Sequence, residues 1–62
     1  MNTKSVAVEF NTSEKMYETF KNMNITDFIV SDENDNLAEV EVTAEQFDTL
    51  CKMDEVVYAS EL

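Results

Sequence analysis

Carboxylates are the one type of reactive group that this chain contains in number. The 62 residues include 14 Asp and Glu against four Lys, with no Arg and no His, and the formal net charge is −10. A compact domain with this charge repels nucleic acid and anionic lipid at long range and attracts basic protein surfaces. The composition therefore favours a basic protein partner over direct binding to nucleic acid or membrane.

The residue types needed for most catalytic sites are missing. Without His there is no imidazole base, and no His/Cys set exists for zinc binding or nucleophilic catalysis. Paired carboxylates acting as acid and base need a pocket, for which a chain of this length leaves little room. The single Cys51 falls on an apolar helical stripe and is expected to be a buried, inert thiol. We expect a non-enzymatic protein without cofactor or metal.

Residues 32–36, with the sequence Asp-Glu-Asn-Asp-Asn, resemble the start of an EF-hand calcium loop. Oxygen-bearing side chains stand at positions one, three and five of that motif. Position six, however, is Leu37 where the motif needs Gly, and position twelve is Thr43 where a bidentate Glu belongs. The segment is better explained as a hairpin loop rich in turn-forming residues.

Two segments alternate between apolar and polar residues, which is typical of strands with one face in a core. These are Lys4–Phe10 and residues 37–43. If their Val and Ala side chains face the core, then Glu9, Glu39 and Glu41 emerge together on the opposite face, where like charges about 5 Å apart repel. The apolar residues expected on that same face are Ile29, Leu37 and Val57.

The segment 12–23 has the apolar spacing of an amphipathic helix. Asn11 is the predicted N-cap, with Glu14 as its partner in a capping box, and Asn24 is the predicted left-handed residue that ends the helix. The apolar stripe of this helix consists of Met16, Phe20 and Met23.

A second helix is predicted over residues 44–53. Thr43 is its expected N-cap and Gln46 the capping-box partner, while Val42 and Phe47 stand where a hydrophobic staple would join them. The apolar stripe of this helix consists of Phe47, Leu50 and Cys51.

Strands over residues 27–31 and 55–62 complete a β-α-β-β-α-β order in a single domain, residues 1–62. Right-handed crossovers then place both helices on one face of a four-stranded antiparallel sheet, the α+β ferredoxin-like arrangement. RNA-recognition modules of this topology need basic and aromatic residues with a Gly-containing motif, copper chaperones a Cys-x-x-Cys loop, and acylphosphatases an Arg. Here the expected open face carries Glu, and the chain has no Gly, a single Cys and no Arg.

The composition resembles that of small bacteriophage-encoded anti-defence or host-takeover proteins. We therefore expect an inhibitor or modulator that binds a basic protein surface, in its concrete form a nucleic-acid mimic that blocks the groove of a nuclease or similar enzyme. The unpaired Cys and the lack of a signal or membrane-spanning pattern favour the cytoplasm of a cell, or of an infected host. The predicted protein-binding residues are Glu9, Glu39, Glu41, Asp32, Glu33, Asp35, Ile29 and Leu37.

Two alternatives remain open at this point. The helix acids Glu14, Glu18, Glu45 and Asp48 form a competing surface. The chain could also be an assembly module that forms a homodimer or joins a complex through its open sheet face, with the acids limiting aggregation.

Overall fold

A computed structural model describes residues 2–62. Its elements are β1 (Lys4–Phe10), α1 (Ser13–Asn22), β2 (Phe28–Val30), β3 (Leu37–Val42), α2 (Ala44–Lys52) and β4 (Val56–Glu61). The strands form one antiparallel sheet in the order β2-β3-β1-β4, which confirms the ferredoxin-like βαββαβ fold with β1 and β3 at its centre. Strand β1 has the predicted bounds, and every other element is one residue shorter than predicted at one or both ends.

The hydrophobic core lies between the two helices and one face of the sheet, called here the inner face. Three aromatic rings pack at its centre, with the Phe20 ring 5.7 Å from that of Phe10 and 4.7 Å from that of Phe28. Alternation along β1 and β3 supplies most of the remaining buried side chains, as predicted. The buried core residues are Val6, Val8, Phe10, Met16, Phe20, Ile25, Ala38, Val40, Val42 and Leu50.

The start of α1 differs from the prediction. Thr12, not Asn11, is the N-cap, and its hydroxyl accepts a hydrogen bond from the backbone N–H of Lys15 at 3.1 Å. Asn11 lies between β1 and α1, where its N–H donates to the carbonyl of Glu55 at 2.8 Å. The capping box predicted between Asn11 and Glu14 was therefore wrong.

Asn24 ends α1 in the left-handed region, with φ of 58°, as predicted. Its N–H donates to the Lys21 carbonyl and the N–H of Ile25 donates to the Phe20 carbonyl, the two bonds of a Schellman motif. Asn tolerates this conformation because its side chain is short and polar. A chain without Gly can thus still end a helix sharply.

The capping box predicted for α2 is present. The Thr43 hydroxyl accepts from the N–H of Gln46, and the Gln46 side chain accepts from the N–H of Thr43. The Gln46 amide also donates to the Met23 carbonyl at 3.4 Å, which ties the start of α2 to the end of α1. The proposed staple residues Val42 and Phe47 both lie in the core region, Val42 buried and Phe47 partly buried.

The prediction for Cys51 was wrong, since its side chain is exposed. The arc of α2 that faces the sheet runs through Gln46, Phe47 and Leu50. Cys51 follows Phe47 by four residues, which rotates it about 40° to the side away from Leu50. It therefore lies beyond the covered arc, although a simple count of apolar spacing includes it.

Strand β4 contains a bulge that sequence reasoning missed. Phe10 pairs with Val56 and Glu9 with Tyr58, so Val57 is an extra residue without a partner on β1. Val57 is 60% exposed.

Across residues 2–62, neither helix is long and apolar enough to cross a membrane.

Candidate protein-binding surface

The face of the sheet opposite the helices, called here the outer face, is formed by the alternate residues of the four strands. The three predicted acids Glu9, Glu39 and Glu41 all lie on it, together with Ile29 and Leu37. The pairing of Glu9 with Tyr58 places Tyr58 beside the acids as well. The remaining outer-face residues of the central and fourth strands are Ser5, Ala7 and Ser60.

The expected repulsion between directly opposed acids is absent on this face. Each carboxylate has an uncharged partner on the neighbouring central strand, since Glu9 pairs with Leu37, Glu39 with Ala7 and Glu41 with Ser5. Glu39 and Glu41 are two residues apart on one strand, about 7 Å. Glu9 and Glu39 are diagonal neighbours at about 7–8 Å. The acids therefore form a spaced row rather than a tight cluster.

Glu41 is held in place by two hydroxyl groups. Ser5 donates to its Oε1 at 2.7 Å and Thr3 donates to its Oε2 at 2.9 Å. These hydrogen bonds, first that of Ser5 and then that of Thr3, lower the pKa of Glu41 below its ordinary value. The two hydrogen bonds thus favour the charged form of the carboxylate and orient it, which sequence reasoning did not anticipate.

All four lysines lie away from the outer face. Lys4 is on the inner side of β1, 5.1 Å from the ring of Phe47, and pairs with Glu61 at 3.4 Å. The other three are helical, and two of them pair with acids of their own helix, Lys15 with Glu18 and Lys52 with Asp48. Within the described chain, the negative charge of the outer face has no lysine beside it.

The hairpin loop between β2 and β3 extends the acidic surface. Its backbone is ordered by side chains, with Asn34 Oδ1 accepting from the N–H of Asn36 and Ser31 Oγ from that of Glu33. The loop is joined to β1, since Phe10 N–H donates to the Asn36 carbonyl at 2.8 Å and the Asn36 amide donates to the Phe10 carbonyl. The exposed loop acids Asp32, Glu33 and Asp35 therefore lie at the end of the sheet nearest Glu9.

More acids converge at this end of the molecule than sequence reasoning identified. The bond from Asn11 N–H to the Glu55 carbonyl brings the turn between α2 and β4 against the end of β1. Glu55 also lies close enough to Lys15 for its charge to raise the pKa of that lysine, after the larger effect of Glu18. We call this region the acidic end, and its acids are Glu14, Asp32, Glu33, Asp35, Asp54 and Glu55.

The opposite end of the sheet is less acidic. Within the described part of the chain, its connections, residues 23–27 and Thr43, contain Asp27, and the adjoining element ends add Glu45 of α2 and Glu61 of β4. The charge of the protein is therefore uneven, and the row Glu41, Glu39, Glu9 leads towards the more negative end. This asymmetry follows from which turns meet at each end of the sheet, so no local sequence signal reveals it.

Apolar side chains are exposed among these acids. Ile29 is 72% exposed and Leu62 is 69% exposed, one on each side of the two central strands. Two shallow clefts adjoin Ile29, one of about 260 Å³ and one of about 180 Å³. Ile29 and its cross-strand partner Glu39 line both of them. Exposed apolar area next to charge is typical of protein-binding surfaces.

Two side chains of the hairpin that resembles a calcium loop form structural hydrogen bonds, Asn34 through its Oδ1 and Asn36 through its amide nitrogen. The side chains of Asn34 and Asn36, at positions three and five of the motif, form the bonds that shape the loop and join it to β1. From Asn2 onwards, no three potential metal-binding side chains are grouped closely enough to hold an ion.

Comparison with protein-family models, curated proteins and solved structures found no match to the chain.

Proposed function

We propose that this chain is a small non-enzymatic inhibitor or modulator that binds a basic surface of another protein as a nucleic-acid mimic. Its carboxylates would occupy a groove that otherwise holds phosphates. One observation supports this above the others: Glu41, Glu39 and Glu9 form a row on the outer face, which all four lysines avoid, and this row leads to the acidic end.

The size and charge of the molecule suit a partial mimic. Its dimensions are 30 × 22 × 19 Å. A DNA duplex 30 Å long presents about 18 phosphate charges, since it has about one per 1.7 Å of axis. The net charge of −10 is roughly half of that. Charge alone would then bind a groove less strongly than DNA does, and the exposed Ile29 and half-buried Leu37 would add apolar contact.

The mechanism is competition. Long-range attraction between the acidic surface and a basic groove speeds association, and added salt weakens it. An acidic protein bound in the groove excludes the nucleic acid by occupying the same basic side chains. The inhibitor needs no chemistry of its own for this effect.

The outer face and acidic end fit this role better than the helix surface. Of the helix acids, Glu18 is paired with Lys15 at 3.0 Å and Asp48 with Lys52 at 2.9 Å. A partner that approached the helices would meet lysines beside those acids. The helix surface therefore presents less uncompensated charge than the outer face.

The test is capture of partners from host lysate by the tagged protein, at about 50 and about 200 mM salt, followed by elution with duplex DNA. Enzymes that act on nucleic acid should be captured, released by DNA, and reduced at least tenfold by the double change Glu39→Gln with Glu41→Gln. Glu18→Gln with Glu45→Gln is the matched control, because it removes equal charge from the helices. Partners that DNA does not displace, and that both double variants retain, would refute the proposal.

A second function, assembly, is favoured by one observation on β4. This six-residue strand pairs with β1 alone within residues 2–62 and exposes Val57, Tyr58 and Leu62 beside its free edge. An edge of this length can pair with another chain. Light scattering at two protein concentrations separates the two functions, since an assembly module shows a mass above 7.1 kDa that depends on concentration, and an independent inhibitor does not.

A further inference from the structure

The larger cleft on the outer face is lined by both apolar and acidic side chains. Ile29 and Leu62 stand at its two sides, and Ser5 lies between them with Glu39 and Glu41. Leu62 is held there by the hydrogen bond from its N–H to the Ser5 carbonyl at 3.0 Å. The full lining, which we call the Glu41 cleft, is Ser5, Asp27, Phe28, Ile29, Glu39, Val40, Glu41 and Leu62.

The volume of this cleft limits its occupant. It measures about 260 Å³ and is open to solvent. Sites for drug-sized ligands occupy about 300–1,000 Å³ and enclose most of the ligand surface. The Glu41 cleft is too small and too open for that class of ligand, and its size suits a single side chain from a protein partner.

The charge of the cleft selects a cationic side chain. Asp27, Glu39 and Glu41 contribute three carboxylates to its lining, and no lysine lines it. An aliphatic stem ending in a positive group would meet apolar surface at Ile29 and Leu62 and carboxylates between them. Both Arg and Lys satisfy these two conditions.

The hydrogen bonding of Glu41 distinguishes between Arg and Lys. A carboxylate has about four lone-pair sites, two on each oxygen. Ser5 occupies a site on Oε1 and Thr3 a site on Oε2, so one further site remains on each oxygen. Two parallel acceptors on one fixed carboxylate match the fork of a guanidinium, whereas the ammonium of Lys binds as a point charge.

We propose that the Glu41 cleft receives one arginine side chain of the basic partner. The guanidinium donates one N–H to each oxygen of Glu41, and the aliphatic stem lies against Ile29 and Leu62. Glu39 and Asp27 add negative charge around the guanidinium. This inference deepens the proposed function and depends on it, because it names one recognition element of the same basic partner.

The test compares two peptides of equal charge, acetylated tetra-arginine amide and acetylated tetra-lysine amide, titrated into isotopically labelled protein at low salt. The arginine peptide should bind at least about fivefold more tightly, because only its groups form bidentate pairs. Its largest NMR shift changes should fall on Ser5, Ile29, Glu41 and Leu62. Glu41→Gln should make the affinities for the two peptides nearly equal. Glu45→Gln, which removes the same charge from α2, should leave the arginine preference unchanged.

The other outcomes separate the two proposals. Equal affinity for both peptides, shift changes centred on the acidic end, or an arginine preference that persists in Glu41→Gln would overturn the arginine site. Each of these leaves the proposed attraction to basic proteins in place, because the peptides still bind. If neither peptide binds at low salt, both the arginine site and the proposed function are wrong. Circular dichroism of each variant identifies any loss of affinity that is due to unfolding.

Discussion

The two faces of the single sheet differ in almost every physical property. On β3, Val40 is 3% exposed and packs in the core, whereas its neighbours Glu39 and Glu41 are exposed and charged. The inner face is covered by both helices, and the outer face by no element among residues 2–62. Adjacent residues of one strand therefore lie in the core and on the proposed binding surface, so that stability and the proposed binding can be changed independently.

Because only the inner face is buried, the two faces should contribute differently to the free energy of unfolding. Burial of apolar area contributes about 25 cal/mol per Å², which favours the inner face. The contacts of the outer face are exposed hydrogen bonds around Glu41, and exposed polar pairs contribute little to stability. Substitutions of matched size on the two faces should therefore change the free energy of unfolding by different amounts.

The largest effect is expected from truncating a core residue. Leu50→Ala should destabilise the protein by about 2–5 kcal/mol, because Leu50 is fully buried and its loss leaves a cavity. Ile29→Ala removes the same number of atoms from the outer face and should change stability by less than about 0.5 kcal/mol. Urea unfolding measures both. A comparable loss in the two variants would mean that the outer face is covered in solution.

Loss of a helix cap should have an intermediate effect. Thr43→Ala removes the hydroxyl of the capping box on α2 and should cost about 1 kcal/mol, with a similar value for Thr12→Ala on α1. Asn11→Ala is the control, because the hydrogen bond of Asn11 to Glu55 uses only its backbone, and it should change stability by no more than a few tenths of a kcal/mol. A larger loss of stability for Asn11→Ala than for Thr12→Ala would show that Asn11, the N-cap predicted from the sequence, caps α1.

Added salt should stabilise the native protein by screening the repulsion among its acids. The urea midpoint is expected to rise between low and moderate salt, since the net charge is −10. The double variant Glu39→Gln with Glu41→Gln should show a smaller rise than the parent chain. An equal rise in both would place the important repulsion at the acidic end rather than on the outer face.

The smallest effect concerns Glu41 and its pH dependence. Ser5→Ala removes the main cause of the lowered pKa, so the pKa of Glu41 should move up towards its ordinary value of 4.5. A depressed carboxyl pKa stabilises the native state above the unfolded pKa, and this stability is lost as pH falls through the folded value. The small deficit of Ser5→Ala should therefore be complete near neutral pH and vanish in acid. NMR titration of the Glu41 carboxyl and urea unfolding at both pH values measure it.

Much of this fold could be predicted from local patterns. Alternation with a period of two identified both central strands and the residues on each face, because side chains of a strand point alternately to opposite sides. The capping box at Thr43 and Gln46 and the left-handed Asn24 were also predicted, since each depends on residues only a few positions apart. The topology followed from the order of these elements. The net charge of −10 follows from the composition alone.

The tertiary structure decided the features that depend on residues far apart in the chain. The N–H of Asn11 bonds to the Glu55 carbonyl while Thr12 caps α1, and the bulge at Val57 pairs Tyr58 with Glu9. Strand register decided that each outer-face acid has an uncharged partner on the neighbouring central strand, and that Ser5 could hold Glu41. The acidic end exists because three connections meet at one end of the sheet. Such contacts join segments tens of residues apart, so their geometry is set by strand pairing and packing rather than by local propensity.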